Sequence, residues 1–309
     1  MILPQEISDA ATLVDTILHP PTATHTPLPT VIPDIPRVYH KTSGDVGHRT
    51  LWVVLAIMGL SSLAFYIMAM RVAVQKRLFH IITALVTTFG FLSYYAIATG
   101  DGITPHSYVA GRSKHGAVTD IVIRDVYWAR YVDWALTTPL VLLNLCLLAG
   151  LNGASILLIV VSDVVMVLTG LFAALSGGEA QGWGWYAIAC IAYINVAYQV
   201  GYKGRHAVSS KDNATRTFFA SISLFTLLLW AAYLIVWALA DGARCINIDG
   251  EIIAYAVLDI LSKGIFGFWL LLAHNRLART LPSIDGFWAH GASHDGAIRV
   301  GEGRTLNDD

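Results

Sequence analysis

Charged residues are scarce in this chain, and their scarcity excludes most soluble architectures. Asp, Glu, Lys and Arg make up 13% of the 309 residues, whereas 55% of the residues are hydrophobic. A soluble domain contains about 25% charged residues. The formal net charge is −1 and no stretch of the sequence is strongly basic. A nucleic-acid partner is not expected, because phosphate binding needs clustered lysine and arginine.

Cysteine is also rare. Cys146, Cys190 and Cys245 are an odd number of cysteines and lack metal-ligand spacing. The first two lie inside apolar runs, where a free cysteine behaves as a small hydrophobic residue. The sequence therefore predicts neither a disulfide framework nor a metal site.

Long apolar runs dominate residues 50–274. Seven of these runs contain about 20 residues or more, which is enough to cross a hydrocarbon core of about 30 Å. We therefore predict an all-α membrane protein, a bundle of seven transmembrane helices in a lipid bilayer. The predicted spans are residues 51–70, 78–99, 126–149, 154–175, 182–202, 217–240 and 251–273.

The segments that flank this apolar domain have a different composition. Seven of the ten prolines lie in residues 1–49, which are predicted to form a disordered tail. Basic residues are concentrated after the first, fifth and seventh spans, and the positive-inside rule assigns those loops to the cytoplasm. The N-terminal tail is then extracellular, residues 275–309 form a cytoplasmic tail, and the plasma membrane is the expected location. The C-terminal tail is too short for a catalytic domain, so no enzymatic activity is expected.

Lys263 and Asp259 lie in the middle of the last apolar run. A charge at bilayer depth costs at least about 2.5 to 3.5 kcal/mol, so ionisable residues are rare there and are usually functional. The four-residue spacing places both side chains on one helix face. The pair is either a structural ion pair or the site of a carbonyl ligand that is bound to the lysine as a Schiff base.

A polar stripe runs along the third predicted span. Arg130, Asp133, Thr137 and Asn144 fall within about 60° of one another around a helix of 3.6 residues per turn. A carboxylate between an arginine and an amide has the layout of a proton path. Polar contacts between helices would produce the same stripe.

The sixth span carries an aromatic face. Trp230, Tyr233 and Trp237 follow one another at spacings of three and four residues. Such a face is typical of plain core packing, but it would also suit a flat polyene ligand beside Lys263.

Three motifs resemble those of the microbial rhodopsins. They are RYVDWALTTPL at residues 130–140, WAAYLIVW at 230–237 and VLDILSK at 257–263, and the segment 286–303 is similar to that of fungal opsins. The resemblance covers all seven spans and implies a bundle of the microbial rhodopsin type. It implies a light-activated protein that binds all-trans retinal as a protonated Schiff base on Lys263, from which a proton passes to Asp133.

The resemblance also implies a role for each site residue. Asp133 and Asp259 would be the counter-ions, and Asp133 would also be the proton acceptor. Arg130 would move between the counter-ions and the extracellular side, where Glu251 would belong to the proton-release region, together with Asp241 or Asp249. The retinal pocket would be formed by Lys263, Tyr94, Trp134, Thr138 (in contact with Asp163), Met166, Gly170, Trp230, Tyr233 and Trp237.

Two residues depart from the family's pattern. Asn144 occupies the position of the cytoplasmic proton donor, which is usually Asp or Glu in outward pumps, and an amide has no proton to give. Leu234 replaces a usual proline, which removes a kink site.

These departures leave two functions open. We expect slow outward light-driven proton transport, with a sensory photoreceptor that pumps little as the alternative. Chloride transport is disfavoured by the charge of Asp133, and a receptor for diffusible ligands is disfavoured by the pairing of Lys263 with Asp259. The oligomeric state, a homo-oligomer included, and any signalling partner stay open.

Overall fold

Seven helical spans form the body of the protein. The computed structural model describes residues 36–74, 77–112 and 118–277. The seventh span consists of two α-helices joined by a π-helical segment, Ile260–Ile265. The helices are α1 (Asp45–Met70), α2 (Leu78–Thr99), α3 (Trp128–Ala149), α4 (Gly153–Ala174), α5 (Glu179–Tyr198), α6 (Asn213–Trp237), α7 (Ile248–Asp259) and α8 (Phe266–Leu277).

Short irregular helical segments extend two of the spans. α5 continues into a π-helical segment, Gln199–Gly204, and α6 continues into another, Ala238–Gly242. Each extension lengthens its span by one further turn, which brings α6 and its extension to 30 residues.

Six of the seven spans in the described ranges are long and apolar enough to cross a membrane. The exception is α5, whose first half contains Glu179, Gln181 and several glycine and aromatic residues that hydropathy scales score as weakly polar. Nevertheless α5 packs along α4 and buries Ala189 and Val196 in the common core. Its opposite face exposes Ile191 and other isoleucines, as expected for a surface in contact with lipid. The predicted seven-helix bundle is confirmed.

The helices enclose an apolar core that also contains a set of buried polar side chains. α1 to α5 pack against one another in chain order, α1 also contacts α7, and α6 packs against α3 and the seventh span. Buried charged and polar side chains therefore face inward, whereas many large apolar side chains of α1, α4 and α5 face outward. A soluble bundle would not expose so many large apolar side chains, and this outer surface suits a lipid environment.

A three-stranded sheet covers one end of the bundle and was not predicted. It contains β1 (Arg37–Lys41), β2 (Thr104–Arg112) and β3 (Val118–Val126) in the order β1-β3-β2, with β1 parallel and β2 antiparallel to β3. The sheet lies where α1 begins, α2 ends and α3 begins, and this end is called the sheet end below.

Several predicted boundaries are wrong. Residues 36–49, predicted as the last part of a disordered tail, contain β1 and the first residues of α1, which begins six residues before the predicted span. α3 begins at Trp128 because β3 extends to Val126. α8 extends to Leu277, three residues into the predicted C-terminal tail. The remainder of both predicted tails, 1–35 and 278–309, lies outside the described residues.

Gly267 marks a close contact between α8 and its neighbours. A Cβ atom at this position would lie 2.6 Å from the Thr83 side chain and 2.8 Å from the Phe65 ring. We expect Gly267→Ala to lower the free energy of unfolding by about 1 to 3 kcal/mol, because overpacking forces the neighbours apart. Thermal unfolding of the purified protein measures this change.

Gly184 of α5 provides the matched control. A Cβ atom there would meet nothing within 4 Å. Gly184→Ala should therefore be neutral or slightly stabilising, because alanine favours helix more than glycine does. Equal unfolding temperatures for the two variants would contradict the close packing at Gly267.

Candidate functional site

Lys263 lies between two carboxylates in the middle of the bundle. The π-helical segment carries Lys263, whose side chain is 3% exposed, and its Nζ atom is 3.0 Å from Oδ1 of Asp259. α3 supplies Asp133, whose Oδ2 atom accepts a close hydrogen bond from the same Nζ. One buried cation is thus shared by two buried anions, and the predicted proximity of these three residues is present in the structure.

The two carboxylates differ in how they are held. Asp259 accepts hydrogen bonds from the hydroxyls of Tyr94 and Tyr233, both at 2.7 Å, and from the Trp134 indole at 3.3 Å. Oδ1 of Asp133, by contrast, has no hydrogen-bond partner among the described residues. Asp259 is therefore a fixed anion, whereas Asp133 keeps one oxygen free to receive a proton.

The polar stripe predicted for α3 is buried along its whole length. Arg130, Asp133, Thr137 and Asn144 are each at most 5% exposed. The Thr137 hydroxyl donates to the backbone oxygen of Asp133 rather than to its carboxylate. Thr137 therefore contributes to the wall beside Lys263 but does not contact the carboxylate.

An apolar cavity of about 700 Å³, counting its open mouth, begins at Lys263. Every predicted pocket residue except Tyr94 lines this cavity, and Tyr94 instead contacts Asp259. Thr138 lines the cavity and also donates to Asp163 at 2.7 Å, which is the predicted contact between α3 and α4. The remaining lining residues are Tyr131, Thr137, Val141, Val167, Tyr186, Ala189, Leu234 and Ser262.

Tyr186 of α5 is a wall residue that the sequence analysis missed. Its ring stacks on Trp237 with 4.8 Å between the ring centroids, and its hydroxyl donates to the backbone oxygen of Leu234. The aromatic cluster of α5 is the only signal in the sequence that could have found it. Leu234, one of the two departures from the family pattern, lies in the same wall.

The sheet end contains a buried ionic network. Nη1 of Arg130 donates a hydrogen bond to Oε1 of Glu251 at 2.7 Å. Arg124 lies on β3, and its Nη2 atom donates to Oε2 of Glu251 at 2.5 Å. Arg124 Nε is also 3.8 Å from Asp241. Burial alone would lower the pKa of Arg124, but the Glu251 and Asp241 carboxylates outweigh this effect, and the pKa is raised.

Of the two aspartates considered for this region, only Asp241 lies in the network. Asp249 accepts a hydrogen bond from the backbone N–H of Gly44 at the start of α1. Arg124 was not predicted as a site residue, because no motif singled out the segment between the second and third spans.

The opposite half of the bundle is polar but lacks such a network among its described residues. Asn144 is fully buried, and its amide nitrogen is 3.4 Å from the Thr83 hydroxyl, a long hydrogen bond. Its Oδ1 atom has no partner within the described ranges. The amide therefore lies buried in this half of the bundle with a single long hydrogen bond among the described residues.

The fold and the site define a seven-helix membrane protein whose binding cavity is centred on a lysine. Residues 47–277 match the family model described as bacteriorhodopsin-like protein. The chain belongs to this family, the microbial rhodopsins, and proteins of this family bind retinal.

Relatives and solved structures agree with this assignment. The chain is 47% identical to Opsin-1 of Neurospora crassa over 98% of this chain and 99% of that protein, and 36% identical to opsin-like protein carO of Fusarium fujikuroi over 75% and 74%. It is similar to the crystal structure of a light-driven proton pump from Leptosphaeria maculans, with 50% identity, a TM-score of 0.75 and coverage of 78% of this chain and 98% of that chain.

The residues present fit a retinal group. An amine that can form a Schiff base lies at one end of an apolar cavity, and aromatic rings from α3, α5 and α6 line its walls. The two carboxylates beside the amine would balance a positive charge on that nitrogen.

Proposed function

We propose that this protein is a light-driven outward proton transporter that carries all-trans retinal as a Schiff base on Lys263. The observation that carries the proposal is Lys263 held between Asp133 and Asp259 beside the apolar cavity. Retinal bound there would supply absorption of visible light and a light-driven change of shape. The protein's own residues would then direct the proton and catalyse no chemical conversion of a substrate.

Asp133 is the residue best suited to receive the proton. It contacts Nζ of Lys263 and keeps Oδ1 free, whereas Asp259 is held by three other side chains. Asp133 is also closer to Nζ of Lys263 than Asp259 is, so Asp133 is the nearest acceptor. Transfer of the proton from the lysine nitrogen to the Asp133 carboxylate is thus the central step of transport.

The sheet end provides the exit in this proposal. Arg130 and Glu251 continue from Asp133 toward the sheet, and all three side chains are buried. The distribution of basic loops places the N-terminus and the sheet outside the cell and the C-terminus in the cytoplasm. Transport is then outward across the plasma membrane. The 50% identity to a solved light-driven proton pump supports light-driven proton transport, and the direction rests on the basic loops alone.

A sensory photoreceptor is the second candidate, and Asn144 favours it. An amide cannot return a proton to Lys263, so that proton must come from solvent or from another group at the opposite end of the bundle. The light-activated state would then persist, which suits signalling better than rapid transport. The two candidates differ in whether light moves protons across the membrane.

Lys263→Ala tests the attachment site. The apoprotein mixed with all-trans retinal should gain an absorption band in the visible range, and Lys263→Ala should lose this band completely, because the other five lysines lie outside the seven predicted spans. Lys203→Ala, at the end of α5, is the control and should keep the band. An intact band in the Lys263 variant would refute the assignment.

Asp133→Asn tests proton transport. Illuminated vesicles that contain the unmodified protein should show a pH change that a proton uncoupler abolishes, and Asp133→Asn should show none, because the amide cannot accept the proton. Asp101→Asn is the control, because Asp101 is exposed in the turn after α2 and should leave the signal unchanged. A spectral response to light without any pH change in the unmodified protein would favour the sensory candidate.

Asn144→Asp tests the missing donor. If solvent supplies the proton, recovery of the dark spectrum after a flash should slow roughly tenfold for each unit of rising pH, because its rate follows the proton concentration. A permeant weak acid such as azide should accelerate it. Asn144→Asp should make recovery faster and nearly independent of pH below the pKa of the new carboxyl, whereas Asn144→Gln should remain slow. Fast, pH-independent recovery in the unmodified protein would mean that another internal donor exists.

A further inference from the structure

Glu251 is bound by two arginines, one on each carboxylate oxygen. Arg130 reaches Oε1 from α3 at 2.7 Å and Arg124 reaches Oε2 from the sheet at 2.5 Å. The three residues are 3% to 5% exposed, so water screens their charges little. Both lobes of the carboxylate are therefore occupied by charged donors, which is a strong arrangement for holding an anion.

The sheet fixes the position of Arg124. Burial alternates along β3, so that Val122, Arg124 and Val126 all face the bundle. β3 is the central strand, and Arg124 is paired with Lys41 of β1 on one side and with His106 of β2 on the other. The backbone at Arg124 is thus paired with a neighbouring strand on each side, which fixes the position of the guanidinium.

Glu251 faces a positively charged donor on each of its two carboxylate oxygens. A proton on Glu251 would leave a buried arginine facing a neutral hydroxyl, which is costly in a protein interior. Asp241 competes for Arg124, but it lies at 3.8 Å and near a further arginine, Arg244. The groups that act on Glu251 from the elements packed around it are Arg124 of β3, Tyr127 just before α3, Arg130 and Tyr131 of α3, Asp241 of the extension of α6, and Tyr255 of α7.

Glu251 in turn fixes Arg130. The guanidinium of Arg130 lies over the Tyr255 ring at 4.3 Å and near the Tyr127 ring at 5.2 Å. In the described part of the chain Arg130 has its ion pair with Glu251 and none with Asp133. The chain of contacts from Arg124 through Glu251 therefore holds Arg130 toward the sheet and away from the proton acceptor.

We propose that Arg124 is a positioning residue for proton transfer, which keeps Glu251 ionised in the dark and anchors Arg130 at the sheet end. An ionised Glu251 has no proton to release when Asp133 receives one. With Glu251 ionised, the proton that leaves at the sheet end is the one that Asp133 itself gives up, after uptake at the opposite end, provided that Asp241 of the same network releases none. This inference rests on the proposed function, because it concerns the order of proton steps around Asp133.

The experiment uses the full-length, retinal-loaded protein in lipid nanodiscs and has two readouts. Infrared spectra of the dark protein, with Glu251→Gln to assign the band, report whether Glu251 is protonated between mildly acidic and neutral pH. A pH-sensitive dye after a flash reports whether protons are released before or after they are taken up. For the unmodified protein we expect no protonated Glu251 band, and release after uptake.

Loss of the positive charge at Arg124 should change both readouts together. Arg124→Gln should allow Glu251 to bind a proton in the dark at mildly acidic pH, and release should then precede uptake. Arg124→Lys keeps a charged donor and should behave as the unmodified protein does. Arg112→Gln, at the exposed end of β2, is the matched control for loss of a basic residue from the sheet and should change neither readout.

A protonated Glu251 band in the unmodified protein would overturn the inference, as would release before uptake. An Arg124→Gln variant with an unchanged infrared band and an unchanged order of steps would also overturn it. If Arg124→Gln does not fold, the measurements on the unmodified protein still decide. Failure of the proposed transport function would instead remove the dye signal and leave the dark infrared readout available.

Discussion

The rest of the structure depends on the buried ion group of Lys263, Asp133 and Asp259. Three ionised side chains inside a bilayer-spanning bundle are tolerable only if they contact one another, because each alone would cost several kcal/mol to bury. The contact fixes α3 against the seventh span at bilayer depth. It also sets the end of the cavity, because the amine of Lys263 lies both within the ion group and in the cavity wall. Removal of one partner would leave an uncompensated charge, at a cost of about 3 to 5 kcal/mol.

The unequal surroundings of this ion group give the proposed transport its direction. Toward the sheet, Arg130, Glu251 and Arg124 form a continuous ionic network. Toward the opposite end, the interior holds the neutral amide of Asn144 and hydroxyls such as that of Thr83. A network of charged side chains stabilises a proton that leaves toward the sheet. On the opposite side, the neutral amide of Asn144 slows the return of a proton to Lys263. In the proposed mechanism the proton thus leaves Lys263 along a defined path on one side and returns slowly from the other side.

Much of this layout could be predicted from the sequence, because it follows from local patterns. Apolar runs indicated the spans, helical periodicity placed Arg130 to Asn144 on one buried stripe, and the four-residue spacing paired Asp259 with Lys263. The pairing of Asp133 with Lys263 joins residues 130 positions apart, and only the family resemblance indicated it. The sheet was missed because most residues of its strands are exposed or half-buried, and because the buried row of β3 contains an arginine, a residue type that is usually found on the surface. Tyr186 was missed because α5 carries no polar pattern, and because the contacts that place its ring in the cavity wall are with Trp237 and Leu234 of α6, which are distant in sequence.

The attachment of retinal to Lys263 is the central claim, and chemical mapping of the bound group tests it most directly. Reduction of the retinal-loaded protein with borohydride converts a Schiff base into a stable secondary amine, which survives proteolysis. Mass spectrometry of the peptides should then find one retinyl group on the peptide that contains Lys263, and the peptides with the other lysines should be unmodified. A retinyl group on a different lysine, or on none, would contradict the account.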